Sequence, residues 1–181
     1  MIIRAATADD AQALAAIYGH HVTHGFGTFE EEPPSPSEME GRRAAIAGLG
    51  LPYLVAEQEG AILGFAYAGP FRARQAYRYT VEDSVYIAPA AVRRGVGRAV
   101  LSAVLAACEA LGLRQVVAVI GDSGNAASIG LHRSLGFAEA GVGRSFGFKH
   151  GRWVDIVWMQ KSLNGGDQTA PESEGIKLSG S

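Results

Sequence analysis

The 181-residue chain is long enough for one domain with a substantial core, and 48% apolar with 19% charged residues is an ordinary globular composition. A formal net charge of -2 argues against nucleic-acid binding through bulk positive charge, and a single cysteine excludes an internal disulfide framework and a cysteine metal cluster. No stretch is an uninterrupted membrane span and Met1-Ile2-Ile3-Arg4 opens no secretory apolar segment, so the cytoplasm is the expected compartment, with neither membrane nor nucleic acid as partner.

Ile2-Ile3-Arg4 reads as a short first strand. Thr7 can cap the helix that follows, with Asp9 and Asp10 in its first turn and Leu14, Ile17 and Tyr18 on its apolar face. The helix fades near Gly25 and leaves His20, His21 and His24 close to its end; without HExxH or a matching carboxylate they read as a pocket rim or plain surface, not as a metal site. Phe26 to Pro34 is non-helical, acidic and aromatic, either a ligand wall or a solvated connection. A second helix starts at Ser35, with Pro36 at its first position and Glu38 completing a capping box; it turns Met39, Ile46 and Ala45 inward before Gly48 and Gly50 stop it. Tyr53 to Glu57 and Ala61 to Ala68 form a hairpin over Gln58-Glu59-Gly60.

A basic, aromatic segment, Phe71 to Tyr79, leads into the strand Thr80-Val81-Glu82-Asp83-Ser84-Val85-Tyr86-Ile87. Its two adjacent carboxylates point to opposite faces, so at most one serves a given cavity, and acids in an otherwise apolar strand are unexpected for structure alone. Next comes Ala88 to Leu101, where the chain turns over Arg93-Arg94-Gly95-Val96-Gly97-Arg98 into a helix with Val96, Val100, Leu101, Val104, Leu105 and Leu111 on one face. Unpaired amides at the helix start, two glycines and three arginines make a phosphate cradle, or an ordinary strand-to-helix turn with solvated arginines. Neither GxxxxGK[ST] nor GxGxxG is present. Cys108 falls within the apolar helix as a small buried filler.

Gln115 to Ile120 is a near-continuous apolar run, the pattern of a central strand covered on both faces. Gly121 to Asn125 is a loop and cap, Ala126 to Leu135 a helix with Ile129, Leu131 and Leu135 repeating, and Gly136 ends it before a strand opening at Phe137. The turn His150-Gly151-Arg152 leads to a last strand, Val154 to Met159. Residues 164–181 carry only Ile176 and Leu178 as large apolar residues and read as a disordered or vector-derived tail, which leaves 1–163 as a single domain. The order β-α-α-β-β-β-α-β-α-β-β requires a mixed sheet, since strands outnumber helices and a hairpin interrupts the crossovers.

This order, with Ser84-Val85-Tyr86-Ile87, the Arg-Arg-Gly-Val-Gly loop, the Asn125 helix and Leu135-Gly136-Phe137, resembles the GCN5-related N-acetyltransferase (GNAT) superfamily over residues 1–163. Thr28-Phe29-Glu30, Tyr79 to Tyr86, Asn125 to His132 and Gly147 to Asp155 resemble its branch acting on phosphinothricin, methionine sulfoximine and methionine sulfone. The resemblance implies an α/β fold with a central, mostly antiparallel twisted sheet flanked by helices, acetyl-CoA as acetyl donor and a homodimer. It implies that Val92, Arg93, Arg94, Gly95, Val96, Gly97 and Arg98 grip the pyrophosphate, although Val92 stands where the family usually has Arg or Gln and Arg93 where it often has glycine. It places the pantetheine along Val85, Tyr86 and Ile87, with Asn125 and Ser128 on the cofactor-facing helix, Asn125 also serving as an N-cap. Glu82 is the implied general base, Asp83 faces elsewhere, and His132 is either the acid for the departing thiolate or a cofactor contact. For the small amino-acid analogue, Arg72 and Arg74 suit its acidic oxygens, unless they are solvated charges. Phe26, Phe29, Glu30, Tyr79 and Phe148 line the rest of its pocket, and Lys149, Arg152 and Trp153 shape it from the same or a partner chain.

Overall fold

A computed structural model describes residues 1–178. Seven strands form one sheet in the order β1-β2-β3-β4-β5-β7-β6, from β1 (Ile2–Ala5), β2 (Tyr53–Gln58), β3 (Ala61–Pro70), β4 (Thr80–Ile87), β5 (Gln115–Gly121), β6 (Ala138–Lys149) and β7 (Arg152–Ser162). Every neighbouring pair is antiparallel except β4 and β5, which run parallel. The mixed, mostly antiparallel sheet expected from the element order is therefore the observed one.

Strand parity divides the core. Tyr53, Val55 and Phe65 face α1 (Ala11–His24) and α2 (Pro36–Gly48), packing with Leu14, Ile17, Tyr18, Val22 and Met39. Ala56, Ala66, Ala68, Val81, Val116 and Ala118 face the opposite way, against α3 (Val96–Ala110). The small side chains on this side let α3 lie close, and its buried residues Val96, Val100, Leu101, Val104, Leu105 and Cys108 recur at one helical face. Leu111 does not join them: it caps the helix at 44% exposure, and Leu113 takes the buried place beyond the turn. Ala45 is likewise exposed on α2, leaving Met39 as that helix's buried anchor.

The local signals act as read. The Ser35 hydroxyl accepts from the Glu38 amide at 3.2 Å while Glu38 Oε2 takes the Ser35 amide at 2.7 Å. Glu59 and Gly60, at φ 53° and 79°, close the β2–β3 hairpin in the left-handed conformations of a tight two-residue turn. Thr7 precedes a short 3-10 turn at Ala8–Asp10, and α1 follows it.

Residues 164–178, expected to belong to a disordered or vector-derived tail, lie as a strap across the end of the sheet. The Arg114 guanidinium, 8% exposed at its residue, donates to the Gly166 and Thr169 carbonyls at 2.8 and 2.6 Å. Tyr79 donates to the Ser173 carbonyl at 2.8 Å, and the Ile176 amide to Arg78 O at 2.8 Å, with Ile176 buried. A polar segment of this kind is held by a few anchors that take up its main-chain carbonyls, which its composition does not reveal.

Candidate active site

The parallel pairing of β4 and β5 runs only from Thr80↔Gln115 to Asp83↔Ala118, and beyond it the strands part. A cavity of about 240 Å³ fills the gap, lined by Asp83 to Ile87 of β4, Ala118 to Gly121 of β5, and Asn125, Ser128, Leu131 and His132 of α4 (Ala126–Ser134). His21 and Gly27 close its other side, and Val92 reaches it from the glycine loop. Past Asp83 the β5-facing edge of β4 has no strand partner among the described residues, so its main-chain groups, apart from the Ile87 carbonyl, are free to pair with an extended guest.

The glycine loop joins β4 to α3 with Arg93 at φ 64° and Gly95 at φ 79°. Arg93 thus holds the left-handed conformation that glycine adopts without cost. No side chain caps the first turn of α3, so its leading amides are open to an anion. Arg93 is exposed, Arg94 donates to Gln58 Oε1 at 3.3 Å, and Arg98 is drawn to Ser134 Oγ at 2.9 Å, which ties α3 to α4. Asn125 accepts from the Ser128 amide at 3.1 Å, an N-cap at the cavity wall, so both readings of that residue meet.

Glu82 and Asp83 do point to opposite faces of β4. Glu82 shares its face with Tyr86, which packs at 4.8 Å from Tyr18 and 5.4 Å from Phe65 on the α1 and α2 side. Burial first, then the neighbouring Asp83 charge, raise its pKa above the usual glutamate value, against the pull of Arg72. Glu82 does not line the cavity; it sits half-buried beside it, while Asp83 lines it and is buried. His132 is buried as well, with Nε2 2.9 Å from Asp83 Oδ2 and Nδ1 2.8 Å from the Ser128 carbonyl, so both ring nitrogens are occupied.

The substrate-side residues do not all converge. Arg72 is exposed and stacks over Phe71 at 4.9 Å, near enough to Glu82 to influence it; Arg74 is exposed. Glu30 is taken up by Tyr18 and by both Arg42 nitrogens, at 2.8, 2.7 and 3.1 Å. Tyr79 turns its hydroxyl to the strap, away from the pocket expected for it. Lys149, 1% exposed, donates to the Thr28 carbonyl at 2.8 Å and so fixes the Phe26–Pro34 loop instead of presenting its charge to a ligand; burial holds its pKa below the usual lysine value. Phe29 packs over Gly147, and Phe148 lies on the outer surface at 5.4 Å from Trp153. The same loop crosses β5 at Gly121, where an added Cβ would fall 1.9 Å from the Phe26 carbonyl oxygen.

Residues 3–158 match the acetyltransferase (GNAT) domain family. The chain belongs to the GNAT acetyltransferases. It is 55% identical over 170 residues, 94% of this chain and 86% of the relative, to a phosphinothricin N-acetyltransferase of Alcaligenes faecalis. It is 38% identical over 173 residues, 96% of this chain and 99% of the relative, to an L-methionine sulfoximine/L-methionine sulfone acetyltransferase of Salmonella typhimurium. Among solved structures, a GNAT superfamily phosphinothricin acetyltransferase from Sinorhizobium meliloti, in complex with AcCoA, superposes with a TM-score of 0.92 at 47% identity, covering 97% of this chain and 95% of that one.

Two residues of this acetyltransferase site escape sequence reasoning. His21, which by sequence reads as a pocket rim or plain surface, donates through Nε2–H to the Ile87 carbonyl at 2.9 Å, removing that carbonyl from the free edge of β4. Burial lowers its pKa, so the ring is neutral at pH 7. Asp83 was set aside by parity, and its partner, His132, lies 49 residues away, a pairing no local pattern could signal.

Proposed function

We propose that this chain transfers the acetyl group of acetyl-CoA to the α-amino group of small amino-acid analogues bearing a phosphinate, sulfone or sulfoximine. The observation that carries the reading is the gap beyond Asp83↔Ala118, a slot whose free strand edge and uncapped α3 start suit the extended, phosphate-bearing donor. Acetyl-CoA, when bound, supplies an activated acetyl thioester. Val85 and the Ile87 amide offer main-chain groups along the slot, the Val92 to Gly97 amides with Arg98 nearby receive the phosphates, and Asn125 and Ser128 line the opposite wall. Glu82 accepts the proton that the substrate ammonium must lose, directly or through one water, and its raised pKa brings its basicity closer to that of an amine. Arg72, exposed beside Glu82, is the cation offered to acidic substrate oxygens.

The substrate class is supported by the names of the relatives and by this local charge. A homodimer is supported by the family and by β6, a 12-residue edge strand with mostly exposed side chains that carries Phe146 and Phe148 at 60% and 58% exposure. The cytoplasm, where acetyl-CoA is made, is the proposed place of action. Among the described residues no helix is long and apolar enough to cross a membrane, and no cluster of ligating side chains could hold a metal.

The test is release of free CoA with L-phosphinothricin, methionine sulfoximine, methionine sulfone, methionine, spermidine and an unmodified peptide. Methionine keeps the amine and carboxylate but lacks the accepting oxygens, so donors built for those oxygens stay unpaired and kcat/KM falls by about 10²-fold or more. Methionine equal to its sulfone overturns the oxygen recognition. Spermidine or the peptide as best substrate overturns the substrate class.

A further inference from the structure

The imidazole of His132 faces two acceptors. Nδ1 lies 2.8 Å from the Ser128 carbonyl, which can only accept, with the Ser128 hydroxyl a longer contact at 3.4 Å, and Nε2 lies 2.9 Å from Asp83 Oδ2. A neutral ring carries one N–H and would leave a lone pair against one of these oxygens. Both contacts are satisfied when both nitrogens are protonated. The remaining oxygen, Asp83 Oδ1, is buried without a hydrogen-bond partner, so the carboxylate depends on the ring for its compensation.

The position of the pair gives it a task. Asp83 is the last β4 residue still in register with β5, and the strands part immediately beyond it. His132 lies on α4, the helix that forms the far wall of the gap. The bond therefore bridges the two walls at the apex of the slot.

We propose that Asp83 is a positioning residue, which keeps His132 doubly protonated so that the ion pair clamps α4 to β4 and sets the width of the acyl-CoA slot. The clamp's use in donor binding rests on the acetyl-CoA reading above; its protonation does not. The surroundings leave the pair to itself. Glu82 lies on the opposite face of β4, Cys108 on α3 has its thiol pushed up to about 12 by burial and by Asp83, and His21 across the cavity is neutral. The adjoining β5 residues, Ala118 and Ile120, do not titrate, and Phe137 meets the ring edge-on at 5.0 Å.

The sign of the pH effect follows. Burial lowers the His132 pKa, but the Asp83 bond, the Asp83 charge and the Ser128 carbonyl together raise it above the usual histidine value. The clamp is complete below the unfolded histidine pKa and is lost as pH rises through the folded one, where a lone pair meets a carboxylate.

The experiment uses the whole chain and two readouts. In ligand-free protein labelled with 15N-histidine, His132 is expected to show protons on both ring nitrogens at pH 7, changing to one only in the alkaline range. Binding of S-ethyl-CoA, whose thioether neither titrates nor hydrolyses, is expected to weaken about tenfold over that change, the scale for a lost buried hydrogen bond. Asp83→Asn keeps a donor, its amide, against a neutral ring, so its affinity should stay within about threefold of the parent at pH 7 and lose its pH dependence. Asp83→Ala should bind, at every pH, about tenfold more weakly than the parent does at pH 7. A singly protonated His132 at pH 7 overturns the proposal, as does an unchanged affinity profile in the Asp83→Asn protein. Should Asp83→Ala fail to fold, the resonances of the parent and the Asn variant decide. Absence of any S-ethyl-CoA binding by the parent protein refutes the donor reading, and the ring protonation is still read in the ligand-free sample.

Discussion

Replacing Glu82 by glutamine keeps the size and the half-buried position of the side chain but removes its ability to take a proton. General-base removal costs on the order of 10²–10⁴ in rate. The Glu82 carboxylate accepts no hydrogen bond from the protein among the described residues, and it lies beside the cavity and not within it, so water retains access and can replace part of its work. This puts the loss in the lower half of the range, about 10²–10³ in the chemical step, or about 3–4 kcal/mol in the barrier. Acetyl-CoA affinity should change little, because Glu82 faces away from the slot's lining. The pH profile adds a second signature: the parent enzyme loses activity as Glu82 protonates, and its acid limb should lie above the ordinary glutamate pKa of about 4.3 because burial and Asp83 raise it. The variant should lack that limb. A raised carboxylate pKa is a cost to the folded state that is absent below the unfolded pKa and fully present above the folded one, so Glu82→Gln should also stabilise the fold at pH 7 and not at pH 4. Single-turnover kinetics from pH 4 to 9, with denaturant unfolding at pH 4 and pH 7, measures all three. Near-parental turnover with the acid limb intact would refute the assignment of Glu82 as base.

Arg114→Ala removes the donor to the Gly166 and Thr169 carbonyls and should lower the unfolding free energy by about 1–3 kcal/mol, read as a denaturant midpoint; protease cleavage within 164–178 should precede global unfolding in that variant. Unchanged stability would mean the strap is held elsewhere. Gly121→Ala drives a Cβ into the Phe26 carbonyl, a main-chain group that cannot swing aside as a side chain would, and should cost more than about 2 kcal/mol while raising KM for the amine substrate, since the Phe26–Pro34 loop must shift. A silent Gly121→Ala would show that the loop does not press on β5.

The sequence by itself determined the elements and the branch of the family. Period, caps and turn residues are local quantities: Ser35 with Glu38, Gly60 in its turn, and the spacing of Val96, Val100 and Val104 each state their structure within a few residues. Parity likewise separated Glu82 from Asp83 before any coordinates. What only the tertiary structure decided are matters of long-range pairing. Where β4 and β5 stop pairing, and hence where the slot opens, depends on two strands brought together across α3. The clamp of Asp83 on His132, the capture of Ile87 O by His21, the burial of Lys149 under Thr28 and the strap held by Arg114 join residues between 49 and 121 positions apart. A charged side chain in a sequence reads the same whether water or a distant carbonyl will satisfy it. Folding makes that choice, because a buried donor must find its acceptor wherever the chain has placed one.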